Sequence, residues 1–157
     1  MDEEYIKMIL ALPDRFFEGW EWKEGNRVLS TKDIDDQKTE GILTSFNTGM
    51  WSKDRIVLVN FLDPCKEPDL RLEEYFYLGN LRPIPSQEQL QKKCIDFENK
   101  DNPYSRSNDF SISKRFIALV IEGDLVQNIE NKPLKVMWLE FAEYVIYGKT
   151  WDGEAWI

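Results

Sequence analysis

Apolar and polar positions alternate in two different rhythms along the chain, and the change between them falls near residue 80. Before it, period-two patterns and β-branched runs predict strands. Ile42, Thr44 and Phe46 occupy alternate positions, and Arg55 to Leu62 (RIVLVNFL) is a nearly continuous apolar run, the strongest strand signal and a predicted central strand of a sheet. Glu73 to Leu78 (EEYFYL) reads as a further strand and Leu81 to Pro85 as extended backbone. The aromatic stretch around Phe17, Trp20, Trp22 and Val28, broken by Gly19 and Gly25-Asn26, reads as strand, turn, strand. Thr31 to Glu40, Asn47 to Gly49 and the two-proline segment Asp63 to Pro68 read as loops and turns.

A short helix precedes the strands. Asp2 and Glu3 suit its positive end, Tyr5, Ile6, Ile9 and Leu10 form its stripe, and Pro13 stops it. After residue 80 the helical period takes over. Ser86 and Gln89 make a capping box for a helix whose inward stripe is Leu90, Cys94 and Phe97. Lys100 to Asp109 is a polar connector. Ser113 to Glu122 (SKRFIALVIE) admits two readings: its β-branched residues permit a strand, while its length, serine start and Gly123 stop favour a helix. Pro133 opens a last helix with Leu134, Met137, Trp138, Phe141 and Val145 on its core face and Gly148 as its stop. Leu139, Ile146 and Tyr147 extend that apolar character around the helix. An Asp152-Gly153 turn flanked by Trp151 and Trp156 follows. The expectation is an α+β fold in a single domain over 1–157, a small antiparallel sheet from the N-terminal half packed by helices of the C-terminal half. Residues 1–80 supply mainly strands after a short first helix, and 81–157 mainly helices with a C-terminal turn.

Composition agrees with a folded chain. Apolar residues make up 42% of the 157 positions and aromatic residues 13%, and a chain of this length buries about two-thirds of its unfolded surface without a metal or disulfide. Twenty basic against 29 acidic residues leave a net charge of −9, with an isoelectric point near 4.6. Direct nucleic-acid binding is therefore not expected, because it needs Lys and Arg to displace phosphate counterions. Cys65 and Cys94 fit no metal or redox spacing. With an acidic start, no signal-peptide pattern and no apolar run of the roughly 18 residues that a membrane span needs, a cytoplasmic, membrane-free protein with reduced thiols is expected.

Absence of histidine narrows the chemistry further. It removes the commonest general base, the Ser-His and Cys-His nucleophile pairs, and zinc sites other than all-cysteine ones. Four groups of carboxylates remain as cation sites: Glu140 with Glu143, Asp152 with Glu154, Glu73 with Glu74, and Asp35 with Asp36. Magnesium chemistry needs a substrate phosphate as well, and no glycine-rich phosphate loop is present. Each group reads as solvated surface. Cys94 has only Lys92 and Lys93 beside it and reads as a buried helix cysteine. Tyr75-Phe76-Tyr77 and Trp20-x-Trp22 resemble stacking platforms that lack basic neighbours. No catalytic residue, cofactor or metal ligand is assigned.

Three sequence patterns carry a resemblance. They are Pro85-Ser86-Gln87-x-Gln89-Leu90, Met137-Trp138-Leu139, and Tyr147-Gly148-Lys149-x-Trp151-x-Gly153-x-x-Trp156, joined by the run Leu12 to Trp22 (LPDRFFEGWEW). Together they resemble small uncharacterised proteins encoded by bacteriophages and prophages of Gram-positive bacteria, over about half the chain and mostly at its two ends. The resemblance implies an accessory phage gene and no particular activity. By analogy, it implies a protein that acts in the bacterial host cell by binding a host or defence protein. The expected contact residues are Phe16, Phe17, Trp20, Trp22, Trp151, Asp152 and Trp156, since aromatic anchors bury much area at little entropic loss. Two other readings stand beside it: an acidic nucleic-acid mimic that blocks a DNA- or RNA-binding site, and a small enzyme using carboxylates and a divalent cation. The oligomeric state is left open.

Overall fold

A computed structural model describes residues 3–30, 40–46, 56–61, 72–101, 104 and 106–157, with side chains described for 3–30, 40–43, 79–101, 104 and 106–157. The order of elements is α1 (Glu3–Ala11), β1 (Arg27–Ser30), β2 (Glu40–Phe46), β3 (Ile56–Phe61), β4 (Leu72–Tyr77), β5 (Leu81–Pro83), α2 (Gln87–Lys100), α3 (Asp109–Phe116) and α4 (Leu134–Tyr147). This is an α+β protein. It divides into two compact units, one of Met1–Ala11 with Pro85–Ile157 and the other of Leu12–Ile84. The predicted loops at 31–39 and 63–68 and the turn at 47–49 lie outside the described residues, as does Cys65.

The Leu12–Ile84 unit is a five-stranded antiparallel sheet in the order β4-β3-β2-β1-β5. The strong apolar run does form an interior strand, β3, but β2 occupies the middle position. A short strand flanked by partners on both sides is set by pairing, which hydrophobicity alone does not rank. β2 slips register between Leu43 and Ser45 against β3, a bulge that follows its pairing with β1. Pro83 sits at the outer strand β5, opposite Val28, where its missing N–H takes no ladder bond from the sheet interior. Val28, Leu29 and Leu43 are fully buried.

The aromatic segment ahead of β1 is not the predicted strand pair. Asp14–Phe17 is a 3-10 turn, residues 20–23 have no regular structure, and only Val28 of the expected residues lies in a strand. Glycines decide this. Gly19 and Gly25 take positive φ, 71° and 85°, which breaks an extended run that the aromatic residues alone would favour.

The other unit is built around α4. Val136 to Glu143, eight consecutive residues, are all buried. Phe116 stacks on Trp138 with centroids 4.1 Å apart, and Phe141 meets both rings edge-on at 5.4 Å. Ser113 to Glu122 is helical: α3 continues into one π turn over Ile117–Ile121. Its Ile112, Phe116 and Val120 face the core. α2 begins with the full capping box, in which Ser86 Oγ accepts from Gln89 N–H and the Gln89 side chain accepts from Ser86 N–H. Leu90 and Cys94 are fully buried, but Phe97 is 41% exposed and Leu134 is 47% exposed. Both mark the ends of their stripes, where a helix has run past its packing partners. α4 stops at Gly148 with φ 68°, its N–H donating to Tyr144 O at 2.8 Å. Tyr5 Oη donates to Pro85 O at 2.7 Å. That bond ties α1 to the point where the chain re-enters this unit.

Two substitutions test this layout by urea denaturation. Ser86→Ala removes one capping acceptor and is expected to lose about 1 kcal/mol. Phe141→Ala leaves a void beside two other rings and is expected to lose about 3–5 kcal/mol, a large share of a typical domain's stability of roughly 5–15 kcal/mol.

Candidate functional site

Seven residues were expected to meet a partner, and they fall in two places. Phe16, Phe17, Trp20 and Trp22 belong to the sheet unit, whereas Trp151, Asp152 and Trp156 belong to the helical unit.

The first group is held by an arginine that sequence reasoning did not single out. Arg82, on β5, donates from Nη1 to Leu12 O at 2.7 Å and from Nη2 to Asp14 Oδ1 at 3.1 Å. Its guanidinium carbon lies 5.4 Å from the centre of the Phe17 ring. One planar fork therefore anchors a backbone carbonyl, a carboxylate and an aromatic face together. Arg82-Pro83 is unremarkable as sequence, and only strand pairing brings it under the 3-10 turn. Phe16 is fully buried and serves the core. Phe17 meets it edge-on at 5.2 Å and meets Trp20 edge-on at 6.0 Å. Phe17, Trp20 and Trp22 are half-buried, while Glu18, Glu21 and Glu24 between and beside them are exposed. Trp20 Nε1 is buried and has no acceptor among the described residues.

The second group is more closed than expected. Trp151 and Trp156 form an isolated antiparallel bridge, with ring centres 5.0 Å apart. Thr150 and Ile157 exchange two backbone hydrogen bonds at 3.0 Å. Trp156 is only 8% exposed, and its Nε1 donates to Met8 O at 3.2 Å on α1. The tail is packed down, and Trp156 is a core residue rather than a contact residue. Satisfying the indole N–H and burying a large ring together outweigh leaving it in water. Trp151 stays half-buried and Asp152 exposed. Asp152 Oδ1 accepts from Ala155 N–H at 2.7 Å and Glu154 N–H at 2.8 Å. Those backbone donors hold its carboxyl below the usual aspartate range. Asp152 is thus a turn residue by construction.

The carboxylate pair Glu140 and Glu143 is not solvated surface: Glu140 is 4% exposed and Glu143 is fully buried. Spacing on α4 carries both inward because that helix is enclosed on most sides. Lys132 Nζ reaches Glu140 Oε1 at 2.6 Å, both side chains being largely buried. Burial pushes the Glu140 carboxyl above its ordinary range. The hydrogen bond and charge of Lys132 oppose that, and the charge of Glu4 adds to it. Desolvation outweighing an ion pair is common for buried charges. No group of three potential metal ligands occurs among the described residues. Cys94 is fully buried, and burial, with Glu98 nearby, pushes its thiol up to about 12. A thiol so placed is not a thiolate nucleophile at neutral pH. Among the described residues no helix is long and apolar enough to cross a membrane.

Two titrations with opposite signs check these assignments. Glu140 has a raised pKa in the folded state, so folding binds its proton more tightly and its contribution grows as pH falls. The melting temperature of the wild type relative to Glu140→Gln is expected to rise from pH 7 towards the ordinary glutamate range. Asp152 has a lowered pKa, so its contribution is present above the ordinary aspartate range and lost as pH falls through the folded value. The advantage of the wild type over Asp152→Ala is expected to shrink in acid. A flat difference in either series removes the corresponding assignment.

No protein-family model, curated protein or solved structure matches this chain.

Proposed function

We propose that this is a non-enzymatic accessory protein of bacteriophage or prophage origin, and that it works by binding a protein of the bacterial host or of its defences. One observation carries the binding reading: Phe17, Trp20 and Trp22 are half-buried and interleaved with the exposed carboxylates of Glu18, Glu21 and Glu24, and Arg82 anchors the start of the segment at Leu12, Asp14 and Phe17. Rings held on a fixed turn lose little freedom on association, and they are the residue types that anchor interfaces. The acidic frame favours a partner with a basic rim and speeds its encounter. The origin is supported by the sequence patterns at the two ends of the chain.

The test is affinity capture from a Gram-positive host lysate by the wild-type protein and by a Trp20→Ala/Trp22→Ala variant, at two salt concentrations. A host protein retained by the wild type and lost by the variant is the expected result, with affinity falling about 30-fold or more for a loss of about 2 kcal/mol. A partner held equally by both proteins but released by salt points instead to the nucleic-acid mimic. Retention of nothing in gentle buffer overturns the binding reading.

A further inference from the structure

We infer that the Phe17–Trp22 segment receives an extended, basic, proline-containing stretch of its partner's chain, an inference that rests on the binding reading above. Ring geometry is the first support. Phe17 and Trp20 lie edge to face, 6.0 Å apart at 73°, and both are half-buried, with Trp22 two positions further along irregular backbone. Proline-rich segments in the polyproline II conformation dock against such aromatic ridges and lose little entropy, because they are already extended.

An unsatisfied donor is the second support. Trp20 Nε1 has no acceptor among the described residues, and a buried polar group left so is costly. Its ring is half-buried rather than enclosed, and docking requires the indole to turn its N–H towards the ligand. Polyproline II leaves its carbonyls without internal hydrogen bonds, whereas a helix or a paired strand has most of them engaged. The ligand that best satisfies this indole is therefore an extended one.

Charge is the third support. Glu18, Glu21 and Glu24 are exposed at intervals of three residues. Among the described residues, Arg82 is engaged with Asp14 at 3.1 Å and Lys23 with Glu21 at 3.2 Å, and no ion pair joins Glu18 or Glu24. Those two carboxylates suit Arg or Lys of an incoming chain, and an acidic segment is repelled.

Selection from a display library of random 12-residue peptides tests this against the full-length protein, with Trp20→Ala and the double variant Glu18→Gln/Glu24→Gln in parallel. The double variant alters only exposed side chains and keeps the test valid if Trp20→Ala fails to fold. Enrichment of peptides combining Pro with Arg or Lys is expected. A labelled peptide of that consensus should then bind at least about ten-fold more weakly to Trp20→Ala. It should also weaken on the double variant and with rising salt. An acidic or amphipathic-helical consensus that still depends on Trp20 overturns this inference and leaves the binding reading standing. Peptides that bind all three proteins alike overturn the assignment of this segment altogether.

Discussion

Eight consecutive buried residues in α4 impose the strictest constraint on the helical unit. A helix with one wet face needs a single packing partner, but a helix buried around its circumference needs partners on every side. α1, α2 and α3 with its π turn supply them, together with the folded-back tail. Trp138 and Phe141 close on Phe116 from α3, Lys135 sits 4.9 Å from the centre of the Tyr5 ring of α1, and Trp156 reaches Met8. The same enclosure takes Glu140 and Glu143 out of water, which is why Lys132 is brought in against Glu140. An ion pair in such a place adds little net stability. Its charges are required to meet because leaving either alone costs more.

The sheet unit answers to a different requirement. Its aromatic segment has little regular structure, so its conformation depends on a few discrete anchors. Arg82 is the chief one, fixing Leu12, Asp14 and Phe17 from the outer strand β5. At the other end of the segment, Lys23 N–H donates to Asn26 Oδ1, and Gly25 and Asn26 join the β2 backbone at Leu43. Held at both ends, the segment buries Phe16 in the core and leaves Phe17, Trp20 and Trp22 half-buried.

Much of the fold was legible because it rests on local rules. The Ser86–Gln89 capping box, the Gly148 stop and the Pro13 break follow from backbone chemistry within a few residues. The runs read as strands at 55–62 and 73–78, and the alternation of Ile42, Thr44 and Phe46, fall on β3, β4 and β2, from β-branched and alternating patterns. The site was less legible. Its aromatics were marked by composition, yet the same composition suggested strands where Gly19 and Gly25 impose turns. Arg82 carried no signal, because its role exists only once β5 pairs with β1.

Trp156 and Glu143 show where local information ends. Both occupy positions that charge and terminal location mark as surface, and both are buried. Local sequence determined which segments coil, extend and stop, since each depends on neighbours within one or two turns. Tertiary structure alone decided which faces of those segments meet water, because exposure depends on contacts such as Trp156 to Met8, 148 positions apart in sequence.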